Sequence, residues 1–248
     1  MTATHDDARV TALLLDVEGT TTPVSFVYGT LFPYARANMK EYLSRHLCSQ
    51  EVQADIALLC EERAADLRRG LDPPALGEDP SGASLESLLS YVYWLMDNDR
   101  KSTPLKSLQG RVWEEGYRTG RLRGEVFPDV PRAFERWCAS GREIAIFSSG
   151  SVLAQKLLFA HAEPGDLTRF IRDYFDTTTG AKGEPQSYVK IAAALGRPPA
   201  EALFISDVVG ELDAARAAGM RTLLRVAAAD PVRPTGHEII KSFDEVLP

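Results

Sequence analysis

The sequence predicts a protein of the α/β class: a parallel β-sheet core with helices on both faces, plus an inserted all-helical cap. Before residue 24 and after residue 124, short apolar runs alternate with segments of helical periodicity, which is typical of parallel βαβ units. Four of the runs end in residues that can carry chemistry. Between these two parts the alternation stops, and helical patterns follow one another without a strand candidate.

The alternating parts predict five strands and the helices between them. The strands are TALLL, EIAIFSS, DYFDT, ALFIS and RTLLRV. The helices are VPRAFERWCAS, SVLAQKLLFA, PQSYVKIAAAL and GELDAARAAG, the last ended by Gly219. We therefore assign residues 1–23 and 125–248 to one α/β core.

Residues 24–124 are predicted to form the helical cap insertion. Its helical segments include PYARANMKEYLSRHL, QADIALLCEERAADLRRG and SLESLLSYVYWLMD. The Pro- and Gly-rich stretch LDPPALGEDPSGAS between the last two predicts a solvated connector.

Composition limits the partners and the compartment. A net charge of −7 on 248 residues argues against a nucleic-acid partner and against an anionic membrane surface. Cys48, Cys60 and Cys138 are widely spaced and form no CxxC pair, which favours reduced, packed thiols. The first residues lack the pattern of a signal peptide, and no apolar run is long enough to cross a bilayer. We expect a cytoplasmic protein.

Two carboxylates directly follow the first predicted strand. Asp16 and Glu18 repel each other, and nothing nearby in the sequence supplies a positive side chain. A divalent cation resolves this conflict, and Asp207 at the end of ALFIS offers a further carboxylate. Hard oxygen ligands completed by water and a phosphate indicate Mg²⁺. Glu211, four residues later, forms a second acidic pair with Asp207, but an acid in the first turn of a helix also complements the helix dipole, so Glu211 is more readily explained as structural than Asp207.

The remaining strand ends predict a phosphate site. FSSGS opens a helix, so hydroxyls and free backbone N–H groups meet the positive end of the helix dipole. Lys182, flanked by Gly180 and Gly183, is positioned to neutralise the same anion. These residues together predict phosphoryl transfer, in which one carboxylate is the nucleophile and its neighbour a general acid and then a general base.

Four segments, in order and spacing, resemble the motifs of the haloacid dehalogenase superfamily: DVEGT, FSSGS, the Lys182 segment and SDVVGELDAARAAGM. The resemblance implies a Rossmann-like core and an aspartyl-phosphate formed on Asp16, which is also a magnesium ligand. It further implies that Ser148 binds phosphate, that Lys182 stabilises the phosphoaspartate and that Asp207 holds the metal.

Glu18 departs from the common superfamily pattern, which has Asp two residues after the nucleophile. Three stretches are similar to the enolase-phosphatases of methionine salvage: DVEGTTTPVSFV, DRKSTPLKSLQGRVWEEGY and SSGSVLAQKLLF. This resemblance implies a monomer that binds Mg²⁺ and a small phosphorylated diketone, 2,3-diketo-5-methylthiopentyl-1-phosphate. It implies Asp16, Glu18 and Asp207 as metal ligands, and Ser148, Ser149 and Lys182 as substrate-binding residues.

Two assignments stay open at this point. The base for enolisation is Lys182, Glu18 or a residue of the insert, and Glu18 acts either as acid and base or chiefly as a metal ligand. Two other functions also remain: a phosphatase for another small phosphate ester, and a signalling receiver phosphorylated on Asp16. The size of the insert and the acid/base potential of Glu18 favour turnover over phosphate storage.

Overall fold

The computed structural model of the chain describes residues 9–77, 82–227 and 236–247. Within these residues one sheet has six parallel strands in the order β3-β2-β1-β4-β5-β6. The strands are β1 Ala12–Leu15, β2 Glu143–Phe147, β3 Ile171–Phe175, β4 Ala202–Ser206, β5 Arg221–Arg225 and β6 Glu238–Ile240. The strand order reverses direction between β1 and β4, as in a doubly wound Rossmann-like sheet, so the crevice for a ligand lies beyond the ends of these two strands.

Eight helices of nine residues or more occur in the described residues. They are α1 Phe32–His46, α2 Gln50–Arg68, α3 Leu85–Asp97, α4 Thr103–Arg118, α5 Val130–Ala139, α6 Val152–Ala160, α7 Pro185–Leu195 and α8 Val209–Ala217. A helical turn, Val24–Phe26, and a π-helical turn, Val27–Leu31, precede α1. One-turn 3₁₀ helices occupy Thr168–Phe170, Pro199–Glu201 and Phe243–Glu245.

The five predicted strands and four predicted helices of the sheet region are confirmed, and so is the helix end at Gly219, where φ is +90°. Strand β6 was not predicted. It has three residues, only one of them buried, so its sequence carries too little alternation to identify a strand. Helix α4 was likewise not predicted as a separate element. It begins where the Ser102 hydroxyl accepts a hydrogen bond from the amide of Leu105.

The central strands are buried on both faces because helices cover both faces. All four residues of β1 and all five of β4 are buried. One face packs Leu14 and Phe204 against Tyr188 of α7 and Leu212 of α8. Helices α5 and α6 contact β2 and β3 respectively. Apolar burial on two sides explains why the sequence of these strands is continuously hydrophobic.

The chain separates into two compact units, Met1–Val27 with Arg123–Pro248, and Tyr28–Leu122. The first holds the sheet, and the second holds α1 to α4. Inside the helical unit, the carboxylate of Asp66 is fully buried and lies 2.5 Å from the Arg100 guanidinium. The hydroxyl of Tyr91 also donates to Asp66. This neutralised carboxylate ties α2 to α3 and to the turn that follows α3.

The predicted connector 71–84 is only partly solvated. Pro73 and Leu76 are buried, and the guanidinium of Arg63 donates to the carbonyl of Pro74 at 2.6 Å. Residues 78–81 of this connector lie outside the described residues. The three cysteines are free thiols, as predicted, but the prediction that all three are packed is wrong: Cys60 is buried, Cys138 is half-buried and Cys48 is exposed. No helix in the described ranges is long and apolar enough to cross a membrane.

A buried ion pair anchors the C-terminal segment to the core. Asp129, just before α5, accepts hydrogen bonds from the Arg225 guanidinium at 3.0 Å, the Ser242 hydroxyl at 3.0 Å and the Phe243 amide at 2.7 Å. The guanidinium lies over the rings of Phe127 and Phe243. Burial acts to raise the pKa of Asp129, but the Phe243 amide and the charge of Arg225 outweigh it, and the pKa lies below its ordinary value.

We predict that Asp129→Asn lowers the free energy of unfolding by about 3–5 kcal/mol, because the substitution leaves the charge of Arg225 buried and unpaired. Stability from a carboxylate with a lowered pKa is present above its ordinary pKa and is lost as the pH falls through the lowered value. The variant should therefore lose less stability on acidification than the unmodified chain. Urea unfolding across pH measures both effects. Asp244→Asn, at an exposed pair with Arg132, is the control and should cost under about 1 kcal/mol; equal losses would contradict the interpretation.

Candidate active site

The first and last predicted site residues lie side by side at the reversal of the sheet. Asp16 directly follows β1, Asp207 directly follows β4, and these strands pair in parallel with Leu15 opposite Ile205. The amide of Asp16 donates to the carbonyl of Ile205 at 3.0 Å. Two carboxylates 191 positions apart in the sequence thus meet because their strands are neighbours.

The turn after Asp16 fixes the two carboxylates to each other. The hydroxyl of Thr20 donates to Asp16 Oδ2 at 3.3 Å and accepts from the amide of Asp207 at 3.1 Å. The amides of Thr20, Thr21 and Thr22 all point to the carbonyl of Val17, which closes a tight turn. The threonines that follow the DVEG stretch are therefore buried parts of the site.

Lys182 supplies the positive charge among these carboxylates. Its ammonium lies 2.5 Å from Asp16 Oδ1 and 2.7 Å from Glu211 Oε2. Glu211 also accepts a hydrogen bond from the Ser206 hydroxyl at 3.0 Å. The lysine side chain is 9% exposed, so the ion pairs are largely shielded from water.

Glu18 lies on the side of the site formed by β2. The hydroxyl of Ser148 donates to Glu18 Oε2 at 3.2 Å and accepts from the amide of Gly150 at 2.9 Å. Ser148 is buried at the end of β2, whereas Ser149 is exposed. Helix α6 begins just beyond, capped by the hydroxyl of Ser151. The six predicted site residues thus all lie at the carboxyl edge of the sheet, after β1, β2, β3 and β4.

Negative charge exceeds positive charge in this cluster, and the pKa values of three of its carboxyl groups are raised. Burial and the charge of Asp16 raise the pKa of Glu18 and of Glu211, and they raise the pKa of Asp207 to about 7. Burial acts to lower the pKa of Lys182, but Asp16 and Glu211 outweigh it and hold the pKa above its ordinary value. Lys182 is therefore a stable cation, and the carboxylates still favour a further positive charge.

The donor chemistry fits a hard divalent cation. Asp207 Oδ1 is buried and has no hydrogen-bond partner. Such a carboxylate oxygen, near the charge of Asp16, is a ligand of the kind Mg²⁺ prefers. Among the described residues, no three His, Cys, Asp or Glu side chains are gathered in a group that could hold a metal as they stand. Oxygen atoms of Asp16 and Glu18 are instead directed to Lys182 and Ser148.

The sequence of the chain matches the family model of haloacid dehalogenase-like hydrolases over residues 10–219. The chain belongs to this hydrolase family. Among solved structures, the UTR4 protein of Saccharomyces cerevisiae superposes on the chain with a TM-score of 0.75 at 32% identity, over 95% of this chain and 99% of that one.

Two relatives extend the family match to nearly the full length. An enolase-phosphatase E1 of Synechococcus elongatus is 50% identical over 96% of this chain and 98% of its own. An enolase-phosphatase E1 of Sorangium cellulosum is 46% identical over 96% of this chain and 97% of its own. The likeness therefore includes both the sheet unit and the helical unit.

Two residues of this hydrolase site were not assigned to it from the sequence. The sequence pairs Glu211 with Asp207 and explains it more readily as a helix-dipole acid; in the structure its carboxylate pairs with Lys182. Its position four residues after Asp207, one helical turn further on, was the available signal. Thr20 was not singled out at all, because only the pairing of β1 with β4 brings its hydroxyl to the amide of Asp207.

Gly19→Ala should lower phosphate release about 100-fold, because a Cβ atom built on Gly19 overlaps the carboxylate of Asp207 and must displace it. Gly141→Ala is the matched control, since its φ of +79° equals the +78° of Gly19 within a degree and nothing lies within 4 Å of its added Cβ. The control should cost about 1–2 kcal/mol of stability through its backbone and leave turnover unchanged. Steady-state phosphate release and thermal unfolding separate the two variants; equal turnover would contradict the steric argument.

Proposed function

We propose that this chain is an enolase-phosphatase of methionine salvage. It converts 2,3-diketo-5-methylthiopentyl-1-phosphate to the acireductone 1,2-dihydroxy-3-keto-5-methylthiopentene and inorganic phosphate. The observation that carries this proposal is the 50% identity to an enolase-phosphatase E1 across 96% of the chain. A likeness confined to the sheet unit would support a phosphatase of this family without its substrate.

In the phosphatase step, Asp16 is the proposed nucleophile. Lys182 and Thr20 each engage one oxygen of its carboxylate, so its orientation is restricted before substrate arrives. Attack forms a bond between Asp16 and phosphorus and breaks the bond from phosphorus to the enol oxygen. The cationic Lys182 offsets the negative charge of the transferring group.

Glu18 is the proposed acid and base of the same step. Its raised pKa favours the protonated form, which suits a donor to the departing enol oxygen. Once deprotonated, it accepts a proton from the water that attacks the phosphoaspartate, which frees Asp16 and phosphate. For the preceding enolisation, the raised pKa of Lys182 disfavours an ammonium that must first lose its proton. Among the candidates in the described part of the sheet unit this leaves Glu18, which must be ionised to take the C1 proton and then carries that proton to the departing enol oxygen.

Phosphate binding is assigned to Ser148, Ser149 and Lys182. The first two lie where β2 ends and α6 begins, and the N-terminus of α6 supplies a favourable dipole for an anion. Residues 24–124 are proposed to act as the cap that selects the methylthio tail and excludes water. The proposed enzyme is a cytoplasmic monomer.

Hydrolases of this family generally depend on Mg²⁺, and we assign its binding here to Asp16, Glu18 and Asp207. The unpartnered oxygen and raised pKa of Asp207 support this assignment, because both identify uncompensated negative charge. When bound, the cation supplies neutralisation of the substrate phosphate.

The reaction itself is testable with the diketone phosphate. The purified chain with Mg²⁺ should form an enol absorbance that precedes phosphate release, with the acireductone as product. Asp16→Asn should lower phosphate release at least about 10³-fold by removing the nucleophile, whereas the exposed Asp244→Asn should not change it. Phosphate release without enol or acireductone would reduce the function to that of another phosphatase. A stable phosphoprotein without turnover would indicate a receiver.

Metal binding should be visible without turnover. Because the pKa of Asp207 is raised to about 7 in the folded chain, its ionisation destabilises the metal-free protein increasingly as the pH rises from about 4 to about 7. At pH 8, Mg²⁺ should therefore raise the Tm of the chelator-treated chain by about 2 °C or more. Asp207→Asn should have a higher metal-free Tm and a smaller Mg²⁺ shift.

The same chelator treatment should abolish phosphate release, and added Mg²⁺ should restore it. Asp244→Asn should show the Mg²⁺ shift of the unmodified chain. If Mg²⁺ changed neither Tm nor turnover, the assignment of Asp207 as a ligand would be wrong.

A further inference from the structure

The backbone around Lys182 has little regular structure of its own. Residues 177–184 connect β3 to α7 through turns, without strand pairing. Yet the ammonium at the end of the Lys182 side chain is placed against Asp16 and Glu211. A four-carbon side chain holds its end precisely only if its backbone is also held.

The first two turns of α7 hold that backbone. The hydroxyl of Ser187 donates to the carbonyl of Ala181 at 2.7 Å, and the hydroxyl of Tyr188 donates to the carbonyl of Lys182 at 2.7 Å. Only a glycine at position 180 leaves room for the hydroxyl of Ser187, because an added Cβ would overlap Ser187 Oγ. The φ of Gly180, +151°, also favours glycine. The side chains of Ser187 and Tyr188 thus hydrogen-bond to the carbonyls of Ala181 and Lys182.

Tyr188 also links the backbone of Lys182 to the strands that precede other site residues. Its ring is fully buried and packs at 5.6 Å from the ring of Phe147 and at 5.0 Å from that of Phe204. Phe147 directly precedes Ser148, and Phe204 lies three residues before Asp207. The hydrogen bond from Tyr188 therefore holds the backbone of Lys182 at a fixed position relative to β2 and β4.

We propose that Tyr188 is a positioning residue for catalysis: by holding the Lys182 carbonyl, its hydroxyl keeps the ammonium against the nucleophile Asp16. This inference rests on the proposed function of Asp16 and Lys182. Both ends of the lysine are then restrained, the backbone by Tyr188 and the ammonium by its carboxylates. Restraint before the substrate binds lowers the reorganisation that the transition state requires.

The test compares the deletion of two buried tyrosine hydroxyls, one on the fully buried Tyr188 and one on the half-buried Tyr174. Tyr188→Phe keeps the ring packing and removes the donor to Lys182. Tyr174→Phe is the matched control, because the Tyr174 hydroxyl is buried without a hydrogen-bond partner. With Mg²⁺ present, Tyr188→Phe should lower kcat about fivefold to tenfold, the effect of one hydrogen bond, with KM changed less than twofold. Tyr174→Phe should change neither.

A double-variant cycle separates positioning from general stability. In a Lys182→Arg background the planar guanidinium cannot reproduce the ammonium contacts, so adding Tyr188→Phe should lower kcat less than twofold further. A full, multiplicative loss in that background would overturn the inference, because the hydroxyl would then act without the ammonium. A lower Tm with unchanged kcat for Tyr188→Phe would overturn it as well.

These measurements use both the diketone phosphate and p-nitrophenyl phosphate. Turnover of only the aryl phosphate would overturn the proposed substrate and still decide the role of Tyr188. If the unmodified chain released phosphate from neither ester, the proposed function and this inference would both be overturned.

Discussion

The ion pair between Lys182 and Asp16 is the interaction on which the site depends. Asp16, Glu211 and Asp207 lie close together in a region largely shielded from water, where like charges repel strongly. One ammonium engages two of these carboxylates and thereby makes their proximity tolerable. The residual excess of negative charge favours a further positive charge and is the physical basis of the proposed Mg²⁺ site. The close carboxylates that destabilise the folded chain are therefore the same groups that the proposed chemistry requires.

The sheet makes this concentration of charge possible. Parallel strands end at one edge, and the reversal between β1 and β4 leaves space there for a ligand. Buried strands resist displacement by the repulsion at their ends, because their apolar side chains pack on both faces. In the turn that follows Asp16, the hydroxyl of Thr20 hydrogen-bonds to both Asp16 and Asp207 and so fixes their relative positions.

Hydrogen bonds to backbone carbonyls extend this control to the part of the site that has no regular secondary structure. Lys182 belongs to a segment of turns, and Tyr188 and Ser187 of α7 restrain it. In the proposed two-step reaction, a lysine backbone restrained in this way keeps the ammonium in the same place for both steps.

The sequence by itself determined the α/β class, five of the six strands and the identity of the acidic, hydroxyl and lysine residues at the strand ends. These features are local, since hydrophobic periodicity and turn residues are read within a few positions. Only the tertiary structure decided the strand order and the pairing of Glu211 with Lys182. It also decided the hydrogen bonds of Thr20 to Asp207 and of Tyr188 to the Lys182 carbonyl. Most of these depend on contacts between residues far apart in the chain, and the periodicity of a segment holds no information about which distant segment will lie beside it.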